Sequence, residues 1–220
     1  MSHRSELLLV CADPREGDAL ERLAGRRPFV VGVGKAAAAC SLAGRLARHE
    51  VGLALVFGVA GALPGAASPG LLSLVLAGES VFADEGVATP DGFLDLRAMG
   101  LAAETVFHAD ASRTAAAAEA LGGVPVVRAA TVSTCSGTDE RAKEIAERSG
   151  ASIETMESAA LALVCRTFAV PWIELRCISN LTGDRRSAPF AVAQACARVQ
   201  GAVADLLSSA RFASTAEDAR

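Results

Sequence analysis

The sequence predicts an α/β fold: a single domain in which a twisted mixed β-sheet is flanked by helices. Three observations point there. Apolar runs of strand length alternate with Ala-rich or amphipathic helical stretches along the chain. The excess among the 51% apolar residues is Ala, Val and Leu, with one Trp and no Tyr, which suits helices packed on a sheet through small aliphatic side chains. The length of 220 residues fits one large α/β domain and is enough to bury a sizeable core.

Each element follows in order. "ELLLVC" at 6–11 reads as a buried strand, and 16–25 as a short helix. "RPFVVGVG" at 27–34 is a strand entering a tight glycine turn. "KAAAACSLAGRLARHE" at 35–50 is a helix by its composition and basic C-terminal end. "GLALVFGVAG" at 52–61 is a second buried strand with a glycine-rich exit. "SPGLLSLVLAGESVF" at 68–82 supplies one or two further strands. Residues 86–100 carry Gly, Pro and Asp and read as a loop of functional length. "SRTAAAAEALGG" at 112–123 is a short helix, "VPVVRAATVS" at 124–133 a strand, and 139–149 a helix. "ETMESAALALVCRTF" at 154–168 reads as a helix, "VPWIELRCIS" at 170–179 as the last core strand, and 188–210 as a long C-terminal helix. No repeat or linker interrupts the pattern, so residues 1–211 form the expected domain and 212–220 a tail.

The formal charge of −4 gives no electrostatic reason to expect nucleic acid or an anionic membrane as partner. The apolar run "LLLVC" is too short for a signal-peptide core, and no stretch reaches transmembrane length, so a cytoplasmic protein is expected. Six cysteines, at 11, 40, 135, 165, 177 and 196, form no C-x-x-C pair and no cluster with His. Reduced thiols are expected, with no metal site.

In such folds ligands gather at the carboxyl ends of strands. Four polar or glycine-rich exits qualify: 12–16, 58–61, 133–138 and 179–184. A fifth, "VGVGKAAAA", fits G-x-G-x-x-A through Gly32, Gly34 and Ala37. The next strand ends "VFGVAG", without the acid that a dinucleotide ribose requires. Lys35 is followed by Ala36 rather than Ser or Thr, so a Walker loop also fails. The turn is read as a packing turn between strand and helix.

Four segments taken together resemble the nucleoside phosphorylase and nucleosidase family: "VFGVAGAL" (56–63), "TVSTCSGT" (131–138), "IETMESAALALVC" (153–165) and "VPWIELRCISN" (170–180). Their order and spacing match over nearly the whole chain. "ADEGVATPDGF" (83–93), Asn180 and "TGDR" (182–185) are similar to a hydrolytic branch of that family. Two features depart from it. Ser158 stands where Gly is common, and "SAPFAV" (187–192) where a Trp is common.

The resemblance implies N-glycosidic cleavage of a small-molecule nucleoside without metal or organic cofactor, in a homodimer or larger homo-oligomer. It implies a transition state like a ribosyl oxocarbenium ion. Glu157 would accept hydrogen bonds from the ribose hydroxyls and stabilise the developing positive charge, with Met156 on the ribose face and Thr155 beside it. Glu16 would activate the water. As a residue it also suits the first turn of a helix, and Asp13 competes for the role. Val59, Ala60 and Gly61 offer a backbone that a flat ligand can approach closely, and Ser136 and Gly137 line the exit at 133–138. Phe93 resembles an aromatic that reaches into a neighbouring subunit's site. The branch's substrate carries an aryl carboxylate far from its base, for which Arg185 and Arg186 are candidates.

Asn180, next to Ser179, is the informative residue. A protonated carboxyl suits adenine, whose N6 donates beside the N7 acceptor. Hypoxanthine presents an O6 acceptor, which a carboxylate repels. An amide donates to O6 and accepts N7–H as the leaving base becomes protonated. Asn180 therefore predicts a 6-oxopurine. Ser179 is expected to set its loop.

Three other readings stay open at this level. One is phosphorolysis, although in "ADPRE" Arg15 directly follows Pro14, one residue short of the phosphate turn of some relatives. The second is a nucleosidase of the methylthioadenosine/S-adenosylhomocysteine type. The third is a noncatalytic nucleotide-binding module.

Overall fold

The computed structural model describes residues 6–102, 104–186, 190–210 and 212. Strands β1 (Glu6–Cys11) and β3 (Val51–Ala62) run parallel and are buried along most of their length, as continuous apolar runs covered on both faces should be. The short β2 (Phe29–Val30) adds in parallel at the edge of β1. On the other side β3 pairs in parallel with β10 (Trp172–Leu181).

Beyond β10 the sheet continues through β4 (Leu74–Phe82), β8 (Val126–Thr131) and β9 (Ile153–Thr155). Because β9 then pairs antiparallel with β3, these five strands close into a ring. Ala60, Ala62, Val75, Ala77, Ala129, Ile153 and Ile178 form one buried cluster drawn only from those strands. Small residues allow so few strands to close. A further strand, β7 (Val106–His108), pairs with the outer part of β4 and had no distinct signal in the sequence.

Helices cover the two faces. α6 (Val192–Ser208) packs Ala195, Val199, Val203 and Leu206 against Leu53, Leu55 and Phe57 of β3. α2 (Lys35–Leu46) and α5 (Ser158–Thr167) cover the opposite face through Leu42, Leu161 and Val164. α3 (Ala111–Ala120) and α4 (Asp139–Ser149) complete the shell, and α4 is capped by the Thr138 side chain.

Four expectations are corrected. The segment 16–25 is a 3-10 turn (Pro14–Glu16) followed by a shorter α1 (Leu20–Ala24), because Asp13 and Glu16 form a capping box around Pro14. Residues 86–95 are not a loop but a hairpin, β5 (Gly86–Thr89) and β6 (Gly92–Asp95), detached from the main sheet. Met156 and Glu157 are not inside a helix. Residues 153–155 pair with β3 and β8 as a strand, and Glu157 is the N-cap of α5. α6 begins at Val192 rather than 188, and residues 187–189 lie outside the described residues. Of the expected tail, Phe212 packs into the core at 1% exposure, and 213–220 lie outside the described residues.

Candidate functional site

The exits of β1, β3 and β10, the connection after β8 and the β9–α5 junction converge on one cavity of about 270 Å³. That size admits one small molecule, near the lower end of the roughly 300–1,000 Å³ usual for ligand pockets. Glu16, Val59, Ala60, Gly61, Ser136, Thr155, Met156, Glu157, Ser179 and Asn180 all line it. One expected residue, Gly137, does not. Gly137 lies behind the wall, its carbonyl accepting from the Arg185 N–H at 3.3 Å. Phe93, expected at a neighbouring subunit's site, sits in the detached hairpin, its ring 4.1 Å from the Arg148 guanidinium.

At one end of the cavity stand two buried carboxylates. Glu16 accepts three backbone N–H bonds, from Ala12 (3.0 Å) and Asp13 (3.1 Å) at one oxygen and from Val59 (2.9 Å) at the other. Gly58 makes room for it: a Cβ there would stand 2.3 Å from Glu16 Oε1 and 2.6 Å from Arg176 Nη1. Glu157 accepts the Gly34 N–H at 2.8 Å. The glycine turn at 32–37 therefore joins the site, by its main chain. Gly34 has φ of +91°, a conformation that favours glycine. Gly32 also serves packing, since a Cβ there would lie 3.2 Å from Ala37 Cβ. Burial pushes the Glu157 carboxyl above its ordinary range, against the pull of Arg176 and the Gly34 N–H.

The other end is set by a β-bulge. Ile178 is opposite Ala60 and Asn180 opposite Gly61, so Ser179 is the extra residue of β10. Ser179 Oγ lies 2.9 Å from Asn180 Oδ1 and 3.2 Å from the Ala60 carbonyl. Both are acceptors within reach of its one proton, Asn180 Oδ1 the nearer. Asn180 Nδ2 lies 3.4 Å from the Leu181 carbonyl. Across Gly61, Glu154 accepts from Ser136 N–H (2.8 Å) and Ser136 Oγ (2.5 Å), which fastens the 133–138 connection to β9. Burial raises the Glu154 pKa as well.

Arg185 also lines the cavity, with its guanidinium 5.1 Å from the Phe190 ring centroid. Arg186 instead closes on Asp184 through both Nε and Nη2 and is exposed. Arg15 likewise closes on Asp13.

Sequence reasoning missed the groups beneath the floor. Arg176 and Glu174 are 2% and 0% exposed and share one face of β10. Arg176 Nε donates to Glu174 at 2.7 Å. Ser158 Oγ donates to the same Glu174 oxygen and accepts from Thr155 Oγ1 at 2.6 Å. The one available signal was a charged pair two residues apart inside an otherwise apolar strand. Among the described residues no cluster of His, Cys, Asp and Glu could hold a metal ion, and no helix is long and apolar enough to cross a membrane.

Comparison with known proteins extends this picture. The profile of the Phosphorylase superfamily matches residues 13–210. Futalosine hydrolase of Thermus thermophilus is 38% identical over 180 residues, covering 80% of this chain and 79% of that protein. Futalosine hydrolase of Streptomyces coelicolor is 37% identical over 200 residues, covering 87% and 83%. Among solved structures, the futalosine hydrolase of Helicobacter pylori superposes with a TM-score of 0.79 at 18% identity over 93% of this chain and 98% of that one. A methylthioadenosine/S-adenosylhomocysteine nucleosidase from Colwellia psychrerythraea, in complex with adenine, gives 0.77 at 19% over 93% and 95%. At such identities the structural likeness is one of fold. The profile match and the two relatives, each spanning most of the chain, carry the assignment: the protein belongs to the phosphorylase superfamily.

Proposed function

We propose that this protein hydrolyses the N-glycosidic bond of futalosine, releasing hypoxanthine and leaving dehypoxanthine futalosine, as a step of menaquinone biosynthesis. The observation that carries the reading is an amide rather than a carboxylate in the cavity wall: Asn180, with Oδ1 2.9 Å from Ser179 Oγ. A donor at that point matches O6 of a 6-oxopurine. The similarity to futalosine hydrolases over about four-fifths of the chain supports the same substrate.

In the proposed reaction Glu157 accepts hydrogen bonds from the ribose hydroxyls and stabilises positive charge as the bond from C1′ to N9 lengthens. Met156, Val59 and Ala60 pack against the sugar and base. Glu16 takes a proton from the attacking water, whose oxygen bonds to C1′. The base leaves with the electron pair of the broken bond and takes a proton from solvent at N7. Asn180 stabilises that N7-protonated base through Oδ1, for which Ser179 yields its hydrogen bond. Arg185, over Phe190, receives the distal carboxylate, whereas Arg186 is committed to Asp184. The turn "ADPRE", in which Arg15 directly follows Pro14, one residue short of the phosphate turn of some relatives, favours water over phosphate as the nucleophile. The reaction is placed in the cytoplasm and in a homo-oligomer, with Phe93 on the outward hairpin near an interface.

The test is chromatography of purified protein with futalosine, inosine and methylthioadenosine, with and without phosphate. Hypoxanthine release from futalosine that needs no phosphate is expected. Release only with phosphate, or of adenine in preference, would contradict the reading.

A further inference from the structure

Three carboxylates surround the buried Arg176: Glu174 on its own strand, Glu16 on the 3-10 turn and Glu157 at the cap of α5. Only Glu174 touches it, at 2.7 Å, and Glu174 is the one of the three that does not line the cavity. The remaining guanidinium contacts are long, 3.4 Å from Nη1 to the Val59 carbonyl and 3.4 Å from Nη2 to Ser158 Oγ. Glu16 and Glu157 are held instead by main-chain N–H groups. The charge of the buried cation thus rests on the acid furthest from the ligand.

We propose that Glu174, steadied by Ser158 and Ser80, is a positioning residue: it holds the Nε edge of Arg176 so that the guanidinium does not close on Glu16 or Glu157, which stay open to the cavity. Ser158 Oγ donates to Glu174, and Ser80 Oγ lies 3.4 Å from its second oxygen. Ser158 also accepts from Thr155, so a line of hydroxyls ties the cavity wall to this pair. This gives the serine at 158 a task that glycine could not perform. The physical stake is large. A carboxylate that pairs directly with a guanidinium is a weaker base, and here both candidates are within reach of one. Of the other titratable groups facing the cluster, burial pushes the thiols of Cys11 up to about 12, of Cys196 up to about 11 and of Cys135 upward, so they stay neutral, and Arg15 holds the Asp13 carboxyl below its ordinary range.

The inference rests on the proposed hydrolysis, and its test separates the two. Glu174→Gln keeps an acceptor for Arg176 Nε but removes the charge. The expected result is a fall in kcat of about tenfold, a fraction of the about 100- to 10,000-fold a general base supplies, with KM nearly unchanged. The acidic limb of the kcat profile moves to lower pH as Arg176 turns to Glu16 or Glu157. A crystal structure of the variant should show Arg176 within ion-pairing distance of one of them. A limb that stays in place, with Arg176 unmoved, overturns the inference. If Glu174→Gln does not fold, Ser158→Ala decides by the same two readouts, with a smaller shift of the same sign expected. Wild-type protein that releases no base defeats the proposed function instead, and the crystallographic readout still decides this inference.

Discussion

Glu16 accepts three main-chain N–H bonds, whereas Asn180 at the opposite end of the same cavity is oriented by one neighbouring hydroxyl. The acidic end is built from backbone, a bulk-free glycine and a buried ion pair. Each part is fixed by the sheet itself, so substitution there damages the geometry of several groups together. The amide end hangs on a single bulged residue of β10, Ser179, and can be retuned by changing one side chain. In the proposed reaction, bond cleavage belongs to the rigid end and base choice to the adjustable end.

The largest expected effects test the rigid end. Glu157→Gln and Glu16→Gln should each lower kcat by about 100- to 10,000-fold while circular dichroism remains near wild type. Gly58→Ala should be nearly as harmful, since its methyl would meet Glu16 Oε1 at 2.3 Å and Arg176 Nη1 at 2.6 Å. Overpacking of this kind costs about 1–3 kcal/mol in stability, measurable by denaturant unfolding.

Asn180→Asp comes next. It should cost about tenfold to hundredfold in kcat/KM on the hypoxanthine nucleoside, the range expected for an unpaired buried polar group, and should raise the relative activity on adenine nucleosides. An unaltered preference would remove Asn180 from base recognition. Ser179→Ala should change kcat/KM by only about severalfold, as loss of one hydrogen bond implies, with the fold unaffected.

Acidity offers a further test of the rigid end. Burial raises the Glu157 pKa, so kcat should climb with pH through a limb above the usual glutamate range. Stability should move the other way. With the folded-state pKa above the unfolded one, the folded protein binds more protons between them. Glu157's contribution is full below the unfolded value and is lost as pH rises through the folded one. The difference in melting temperature between wild type and Glu157→Gln, followed across that window, checks the sign.

Much of the fold was legible because β1, β3, β8 and β10 are apolar runs with distinct boundaries. The ring closure was not, since β9 is three residues long and becomes a strand only by lying between β3 and β8. That same pairing moved Met156 and Glu157 out of the expected helix. The lining residues that could be read were those in short polar exits after strands. Gly34 was legible only as a packing turn, because its contribution is an N–H that every residue but proline has. Arg176 and Glu174 lay inside a matched segment, 170–180, without a role of their own. Their meaning depends on Glu16 and Ser158, which are distant in sequence and adjacent only after folding.

The most direct measurement is turnover of futalosine in water enriched in heavy oxygen, without phosphate, with both products weighed by mass spectrometry. The account predicts unlabelled hypoxanthine and one heavy oxygen at C1′ of the ribosyl product. Absence of cleavage, or a cleaved product without the label, would contradict it.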